Sequence, residues 1–246
     1  MINIGIIIQA RLSSTRLPGK ILLNFSNNKC ILEIIYDRIL SYFKLPVIVS
    51  TTTNNNDIEL VNFCKKKNMN YFCGSEHDVL LRFIDTANSF NLTHIIRICS
   101  DNPFINNEYI KQLIDALHND INLDYISYRI KDKPSILTHF GFFAELVNLK
   151  SLNICNESNE KYYHEHVTNY IYTHNNYFKI KWLTAGEIFE NNNIRLTVDD
   201  NIDFSIIKTL YDEFGENYNP ERLFEYINNK PDIKQLMIQQ IEKNTK

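Results

Sequence analysis

The chain has 246 residues, 44% of them hydrophobic, which is enough apolar material for one globular unit with a sizeable core. Its net charge of −3 excludes a general electrostatic attraction to nucleic acid or to anionic membranes, so we expect neither as a partner. Five scattered cysteines without a Cys-X-X-Cys pair exclude a disulfide framework and a cysteine-based zinc site.

Apolar and amphipathic segments alternate along the first half of the chain. The uninterrupted apolar run Ile4–Ile8 is typical of a central parallel strand that is covered on both faces. Further strands are predicted at Pro46–Ser50, Tyr71–Phe72, His94–Cys99 and Asp124–Tyr128. Helices are predicted near Ile31–Tyr42, Asp57–Lys67, Val79–Phe90 and Asn107–His118. This succession is the βαβ rhythm of a parallel sheet.

The alternation fades in residues 129–185, which we predict to be a mixed subdomain or dimerisation arm with short strands and a helix near Ala144–Leu152. A strand ending at Val198 then leads into a helix around Asp203, and one or two helices close the chain at Glu221–Lys243. Together the segments predict an α/β fold of three layers, α/β/α, around a mainly parallel sheet, with a small mixed subdomain.

A basic loop of small residues follows the first strand. It carries Arg11, Arg16 and Lys20 among Ser13, Ser14 and other small residues. Because ligands bind at the carboxyl ends of strands in open α/β sheets, three cations at this place favour the binding of a polyphosphate. Lys20 is not followed by Ser or Thr, so the segment is not a P-loop. The alternative is a solvated basic turn.

Several segments resemble those of the SpsF-like cytidylyltransferases, which are relatives of the CMP-sugar-acid synthetases. The most specific are Gln9-Ala-Arg-Leu-Ser-Ser-Thr-Arg-Leu-Pro-Gly-Lys-Ile-Leu22 and Arg195-Leu-Thr-Val-Asp-Asp-Asn-Ile-Asp-Phe204. Cys73–Leu80, Arg97–Pro103 and Glu165–Thr168 agree in the same order. The resemblance implies one nucleotidyltransferase domain of GT-A-like fold over residues 1–246, which moves CMP from CTP to an acceptor and releases pyrophosphate.

Two aspartates stand at predicted strand ends. Asp101 follows the strand His94–Cys99, and Pro103 stops that strand, so a rigid carboxylate is left at the sheet edge. Asp199 follows the strand that ends at Val198. From the residues alone, either aspartate could instead cap a turn or a helix. The resemblance implies that both hold Mg²⁺ between protein and substrates, a role that suits the oxygen ligands magnesium prefers. Asp200 and Asp203 are expected to cap and charge the helix start.

The resemblance also implies roles for the basic loop and for neighbouring strand ends. The predicted catalytic cations are Arg11, Arg16 and Lys20, which would hold the triphosphate and the departing pyrophosphate. The predicted nucleotide contacts are Gln9, Ala10, Arg11, Ser13, Ser14, Thr51, Gly74, Ser75 and Asp101. Thr51 and Gly74 end strands whose edges could face the nucleobase, whereas Ser75 could equally cap the following helix.

The acceptor side departs from the family pattern. His164 and His166 flank Glu165 in a segment that could line an acceptor pocket, and His166 is the better candidate. Between Pro134 and Leu146 a carboxylate expected near position 142 is missing, which weakens the implied substrate identity more than the implied use of a nucleotide. The resemblance implies a small acidic acceptor, namely a sugar acid, a phosphorylated polyol or a phosphonate, and a homodimer.

Three functions compete at this point. A cytidylyltransferase of surface-glycan or related biosynthesis accounts for the basic loop and for both separated aspartates. A nucleotide-sugar-dependent glycosyltransferase shares the α/β layout, but the sequence contains no Asp-X-Asp triplet. A catalytically silent nucleotide-binding protein is conceivable because of the altered segment before Leu146. No apolar run reaches the roughly 18 residues of a spanning helix, and the amino terminus lacks a signal-type pattern, so we expect a cytoplasmic protein.

Overall fold

The computed structural model describes residues 2–190 and 193–244, so Met1, Asn191, Asn192, Thr245 and Lys246 of the predicted domain lie outside the described residues. The strands are β1 Ile4–Gln9, β2 Asn24–Ser26, β3 Lys29–Cys30, β4 Val47–Thr52, β5 Asn70–Gly74, β6 His94–Cys99, β7 Tyr125–Ile130, β8 Lys133–Pro134, β9 Glu145–Asn148 and β10 Ile180–Thr184. The α-helices are α1 Ile31–Tyr42, α2 Ile58–Lys66, α3 Val79–Ser89, α4 Asn107–Asn119, α5 Leu149–Cys155, α6 Lys161–Glu165, α7 Asn169–Thr173, α8 Asn201–Phe214, α9 Pro220–Asn228 and α10 Pro231–Lys243.

Eight of these strands form one sheet in the order β10-β7-β9-β6-β1-β4-β5, with β8 paired to β7. The neighbouring strands β6, β1, β4 and β5 all run parallel. β9 runs antiparallel between β6 and β7. The carboxyl ends of the four parallel strands therefore meet at one edge of the sheet, and the basic loop, Thr51, Gly74 and Asp101 all lie at or beside these ends.

Helices cover both faces of this sheet. Ile6 and Ile8 of β1 pack into one hydrophobic layer with α1 and the carboxyl-terminal helices, whereas Ile7 packs into the opposite layer with α3 and α5. All three isoleucines are fully buried, which explains why the strand shows no polar alternation. The predicted three-layer α/β/α fold with a mainly parallel sheet is confirmed. Among the described residues, no helix combines the length and the apolar character needed to cross a membrane.

The predicted helix near Ala144–Leu152 is wrong, because this segment divides into β9 and α5. Leu146 and Val147 are successive apolar residues that pack on opposite faces of the sheet, as only a strand allows. The helix begins at Leu149, after Asn148 has accepted a hydrogen bond from the Lys150 N–H as the N-cap. A short apolar run of this kind fits either element until its neighbours are known.

The strand predicted to end at Val198 is also wrong, since the described residues 193–199 form no ladder. The segment is held by single main-chain bonds, in which the Val198 N–H donates to the Asp101 carbonyl at 2.9 Å and the Leu196 N–H donates to the His139 carbonyl at 2.8 Å. Residues 129–185 do contain the predicted mixture of short strands and helices, but the strands β8, β9 and β10 belong to the central sheet.

Candidate active site

The basic loop, residues 10–20, is fixed at the sheet edge by hydrogen bonds from its main-chain N–H groups. The Leu12 N–H donates to Asp57 Oδ1 at 2.6 Å, and Asp57, which is buried, also accepts from the Thr52 hydroxyl. The Gly19 N–H donates to the Leu12 carbonyl at 3.0 Å, and the φ of 68° at Gly19 is one that favours glycine. The loop's cations therefore extend from a defined backbone.

Lys20 joins the basic loop to both predicted metal ligands. Its Nζ lies 3.5 Å from Asp101 Oδ2 and 3.2 Å from Asp199 Oδ1, and it donates to the Val198 carbonyl. From the sequence we expected Lys20 to bind phosphates. In the structure its ammonium contacts Asp101 and Asp199, two aspartates that are far apart in the chain. Only 11% of the Lys20 side chain is exposed, so its contacts with the two aspartates belong to the packed interior of the protein.

Asp199 is surrounded by cations. In addition to Lys20, Arg16 Nη2 lies 2.9 Å from Asp199 Oδ1, and Arg195 Nη2 lies 2.7 Å from Oδ2. Burial would raise the pKa of Asp199, but Lys20, Arg195 and Arg16 together lower it to about 2. Asp199 is therefore ionised at neutral pH, as a carboxylate ligand of a metal must be.

The segment that follows Asp199 holds its position through Arg195. This fully buried guanidinium donates from Nε and Nη2 to the two carboxylate oxygens of Asp203, both at 2.8 Å. Asp203 also accepts from the Asp199 N–H at 2.9 Å. Asp200 accepts from the N–H groups of Ile202 and Asp203, so its predicted role as the cap of α8 is confirmed. Asp199 itself is not the cap.

Asp101 does not cap the following helix either. The N-cap of α4 is Asn106, whose side chain accepts from the N–H groups of Glu108 and Tyr109. The Asp101 carboxylate is 28% exposed and contacts Lys20. Neither Asp101 nor Asp199 is therefore a helix cap. Both carboxylates instead contact the Lys20 ammonium.

These residues surround a cavity of about 260 Å³, which we call the charged cleft. It is lined by Gln9, Arg11, Ser13, Ser14, Thr15, Arg16, Lys20, Cys99, Ser100, Asp101 and Asp199. The charged cleft brings together the three predicted catalytic cations and both predicted metal ligands. Ala10 is only 1% exposed and Thr51 is fully buried, so their side chains cannot contact a ligand in the cleft.

Gly74 and Ser75, at the end of β5, are not among the cleft residues. Ser75 Oγ accepts from the Asp78 N–H at 3.0 Å, but the N-cap of α3 is Asp78, whose side chain accepts from the Leu81 N–H, so the alternative interpretation of Ser75 as the helix cap is wrong. The Ser75 carbonyl accepts from Arg82 Nη1 at 2.5 Å. A Cβ on Gly74 would lie 2.9 Å from Arg82 Cγ, so the close approach of Arg82 favours glycine at this strand end.

Arg82 is an unassigned cation at this edge. Its side chain is fully buried on α3, yet Nε and Nη2 have no hydrogen-bond partner among the described residues. Burial, reinforced by the charge of Arg11, lowers the pKa of Arg82 to about 10. Buried N–H groups without partners are uncommon, so Arg82 is an exception among the buried polar groups of this strand end.

A second cavity, of about 450 Å³, shares Cys99 with the charged cleft, and we call it the aromatic pocket. It is lined by Arg97, Cys99, Ile136, Leu137, Tyr162, His166, Thr168, Asn169 and Tyr172. His166 follows α6, and its ring centroid lies 4.5 Å from that of Tyr162. The predicted acceptor residue His166 is thus a wall residue of a cavity that adjoins the charged cleft.

His164 does not line the aromatic pocket; its side chain contacts residues outside it. Its Nδ1 lies 2.7 Å from Asp78 Oδ2, and its Nε2 lies 2.7 Å from the Ser158 carbonyl oxygen. The Ser158 carbonyl and Asp78 favour the protonated ring, and they raise the pKa of His164 against the effect of burial. His164 therefore ties α6 to the start of α3, and of the two histidines His166 is the one that lines the aromatic pocket.

A chain of buried and partly buried hydrogen bonds runs from the charged cleft to the aromatic pocket. Gln9 Oε1, in the charged cleft, accepts from Arg97 Nη2 at 3.2 Å, and Arg97 lines the aromatic pocket. Arg97 Nη1 lies 2.5 Å from Glu145 Oε2. Glu145 Oε1 accepts from the hydroxyls of Thr168, at 2.8 Å, and Tyr125. Arg97 and Glu145 are thus a hydrogen-bonded ion pair beside the aromatic pocket, and we call this pair the wall.

The family pattern has a carboxylate near position 142, where this chain has none, but another carboxylate lies close by. Phe142 itself is fully buried against other rings, among them Phe104 and Phe189. Glu145, three positions later on β9, is 1% exposed and pairs across the sheet with Arg97 of β6. The segment therefore does contribute a carboxylate beside the aromatic pocket.

Comparisons with known proteins identify the family. The model of a family described as cytidylyltransferase matches residues 5–243. The chain belongs to the cytidylyltransferase family. The spore coat polysaccharide biosynthesis protein SpsF of Bacillus subtilis is 34% identical to this cytidylyltransferase over 241 residues, which cover 94% of this chain and 97% of SpsF. The resemblance to SpsF-like cytidylyltransferases is thereby confirmed.

Solved structures agree. A cytidylyltransferase from Leptospira borgpetersenii superposes with a TM-score of 0.84 at 28% identity, covering 96% of this chain and 98% of that chain. A CMP:2-keto-3-deoxy-manno-octonic acid synthetase complexed with CTP superposes with a TM-score of 0.64 at 14% identity, covering 86% and 99%, and so shares the fold. The present cytidylyltransferase is accordingly an enzyme of the nucleotidyltransferase type.

The charged cleft of this cytidylyltransferase suits a magnesium ion. Across residues 2–190 and 193–244, no group of three or more His, Cys, Asp or Glu side chains could hold a metal alone. Asp101 and Asp199 nevertheless converge on one cationic atom, Lys20 Nζ. Magnesium commonly takes one or two carboxylates and completes its shell with phosphate oxygens and water. The two carboxylates therefore fit an ion that is bound together with a nucleotide.

Four buried charged residues of this cytidylyltransferase site were missed by sequence reasoning: Asp57, Arg82, Arg97 and Glu145. Arg97 stands in a segment that resembles the family, yet no role was attached to it. Arg82 had a signal as well, since it falls beside Phe83 on the buried side of a predicted amphipathic helix. Nothing in the sequence marked Asp57 or Glu145 as site residues, because each binds a partner from a distant segment of the chain.

Proposed function

We propose that this cytidylyltransferase transfers CMP from CTP to a small acidic acceptor and releases pyrophosphate. The acceptor is a sugar acid, a phosphorylated polyol or a phosphonate. The observation that carries the proposal is the contact of the charged cleft with the aromatic pocket through Cys99. A triphosphate in the cleft and an acceptor in the pocket would meet at the carboxyl end of β6.

The side chains of the basic loop favour a triphosphate. Arg11 and Arg16 are exposed cations on the cleft wall, and Ser13 and Ser14 line the same wall as short polar groups. In phosphoryl transfer, positioning and electrostatic stabilisation account for most of the rate, because charge accumulates on the phosphate oxygens. Arg11, Arg16 and Lys20 would hold the α-, β- and γ-phosphates and stabilise the departing pyrophosphate.

The reaction is a displacement at the α-phosphorus. The acceptor oxygen forms a bond to this phosphorus while the bond from it to the bridging oxygen breaks. Pyrophosphate leaves with the electron pair; if the attacking oxygen is a hydroxyl, its proton passes to solvent, whereas an ionised phosphate or phosphonate oxygen has none to lose. Asp101 and Asp199 would hold Mg²⁺, which supplies charge neutralisation at the α-phosphate and a lower pKa for the acceptor hydroxyl.

The aromatic pocket supports an acceptor that combines hydroxyls with an anionic group. Thr168 and Asn169 line it as polar groups, and the rings of Tyr162, His166 and Tyr172 provide flat apolar walls. Arg97 lines the same pocket and brings a positive charge to its wall, which favours an anionic group on the acceptor. His166 would donate to or accept from the acceptor at the pocket wall.

Three further parts of the proposal depend on similarity. Since SpsF of Bacillus subtilis is a spore coat polysaccharide biosynthesis protein, we assign this enzyme to surface-glycan or related biosynthesis. We assign it to the cytoplasm, where CTP is available, and to a homodimer that pairs through residues 129–185. Size-exclusion chromatography with light scattering would test the dimer, and a monomer at micromolar concentration would contradict it.

The experiment is an assay of pyrophosphate release with Mg²⁺. CTP, UTP, GTP and ATP are each offered a panel of sugar acids, phosphorylated polyols and phosphonates. The proposal predicts release that requires both CTP and one acceptor class, and the variant Asp101→Asn should lose it. If no acceptor promotes release and calorimetry detects no Mg²⁺-dependent binding of CTP, the proposal is contradicted.

A further inference from the structure

The carboxyl-terminal helix α10 reaches the charged cleft by way of Gln240. This glutamine is 3% exposed, and its Nε2 lies 3.2 and 3.1 Å from the two carboxylate oxygens of Asp200. Lys243 Nζ adds an ion pair at 3.1 Å to the same carboxylate. Asp200 caps α8 and directly follows Asp199. A buried amide costs free energy unless it is hydrogen-bonded, and Gln240 is satisfied by Asp200 at Nε2 and by Asn244, whose Nδ2 donates to Gln240 Oε1 at 3.4 Å.

A second contact starts at Asn244, just after α10. Asn244 Oδ1 accepts a hydrogen bond from Arg16 Nη1, while Arg16 Nη2 lies 2.9 Å from Asp199 Oδ1. The Arg16 side chain is 48% exposed, and a long exposed arginine loses considerable rotamer entropy when it is held in one place. Asn244 and Asp199 together hold it over the cleft. The end of the chain therefore reaches Asp199 by two routes: Gln240 of α10 binds its neighbour Asp200, and Asn244, just after α10, binds Arg16.

We propose that Gln240 and Asn244 are positioning residues of the phosphate site. Gln240 holds the Asp199–Asp200 turn, and Asn244 holds the Arg16 guanidinium, in the orientation that a triphosphate requires. Neither residue lines the charged cleft, so each acts through another side chain. The inference rests on the proposed function only in requiring that the charged cleft binds phosphates, and it is independent of the acceptor.

The test measures binding of inorganic tripolyphosphate to the full chain by calorimetry without metal. Asn244→Ala should weaken this binding about three- to tenfold, the effect of one lost hydrogen bond that preorganises a cation. Asn244→Gln, which keeps an accepting amide oxygen, should restore most of the affinity. Gln240→Ala should raise the half-saturating Mg²⁺ concentration in the pyrophosphate assay by a similar factor, while kcat at saturating Mg²⁺ changes less.

Gln239→Ala is the matched control, because Gln239 is the exposed neighbour on the same helix and should behave as the parent. Lys243→Ala should have an intermediate effect, since an exposed ion pair contributes little. Thermal unfolding checks each fold, and if Gln240→Ala is unfolded, Asn244→Ala decides. Parent-like binding by Asn244→Ala overturns the inference and leaves the proposed function standing. A parent that does not bind tripolyphosphate also overturns the inference, and the pyrophosphate assay with Mg²⁺ and CTP then decides the proposed function separately.

Discussion

The charged cleft and the aromatic pocket meet at Cys99, but they use charge in opposite ways. In the charged cleft, Arg16 is 48% exposed although it is paired with Asp199, so a ligand can compete for it. Beside the aromatic pocket, the side chains of Arg97 and Glu145 are 10% and 2% exposed, and both carboxylate oxygens of Glu145 are hydrogen-bonded. Ion pairs of the first kind can be exchanged for substrate, whereas those of the second kind maintain the wall.

The largest effect should come from breaking the wall. Glu145→Ala leaves the Arg97 charge buried without its partner, and we expect a loss of about 3–5 kcal/mol in the free energy of unfolding. Urea denaturation of the parent and the variant measures this loss. Glu157→Ala, at an exposed position, is the control and should change stability by less than about 0.5 kcal/mol. A Glu145→Ala variant as stable as the control would show that the wall is not structural.

Next in size is the loss of the cation that both aspartates face. Lys20→Ala should reduce kcat about 100-fold, because the transition-state charge loses a preorganised partner, and the variant should still fold, although with lower stability because Asp199 loses a largely buried partner. Steady-state pyrophosphate release and circular dichroism measure the two quantities. Lys29→Ala removes a comparable lysine from an exposed pair with Asp37 and should leave turnover unchanged. If Lys20→Ala turns over as fast as the parent, Lys20 has no part in the reaction.

A smaller and more selective effect is expected in the aromatic pocket. His166→Ala removes one wall contact, so KM for the acceptor should rise about tenfold while KM for CTP stays within about twofold of the parent value. Initial rates with either substrate varied separate the two constants. His118→Ala, an exposed histidine on α4, serves as the control. A rise in KM for CTP alone would place His166 on the nucleotide side and erase the distinction between the cavities.

The smallest effect concerns the pair of His164 with Asp78. Because the folded pKa of His164 is raised above 6.5, its contribution to stability is complete below about pH 6.5 and is lost as the pH rises through the folded value. The pair is partly exposed, so His164→Gln should cost at most about 1 kcal/mol near pH 6 and less near pH 9. Urea midpoints at the two pH values test this. A cost that grows with pH would contradict the assignment.

The charged cleft could be predicted from the sequence better than the wall beside the aromatic pocket, because the signals that mark the cleft lie within short segments of the chain. The cleft forms where a buried parallel strand ends, and the apolar run Ile4–Ile8 and the stop at Pro103 both mark such ends in the chain itself. Asp101 and Asp199 converge because each stands beside this edge, although Asp199 lies in an extended segment that no ladder supports.

The wall depends on register between distant strands. Glu145 lies opposite Arg97 because β9 inserts antiparallel beside β6. The apolar run that contains β9 fits a helix as well as a strand, so the pairing could not be predicted before the sheet order was known. Arg82 is a similar case, since a helical position predicts that it is buried but not that its guanidinium lacks partners.

The most direct test of the central claim follows the phosphorus atoms of CTP by ³¹P NMR in the presence of Mg²⁺ and an acceptor that promotes turnover. Attack at the α-phosphorus predicts the signals of CMP joined to the acceptor, a phosphodiester with a sugar acid or an anhydride with a phosphorylated or phosphonate acceptor, and pyrophosphate in an equal amount. Accumulation of CDP with inorganic phosphate or a phosphorylated acceptor would mean that the terminal phosphate is attacked, and it would contradict the placement of the acceptor beside the α-phosphate.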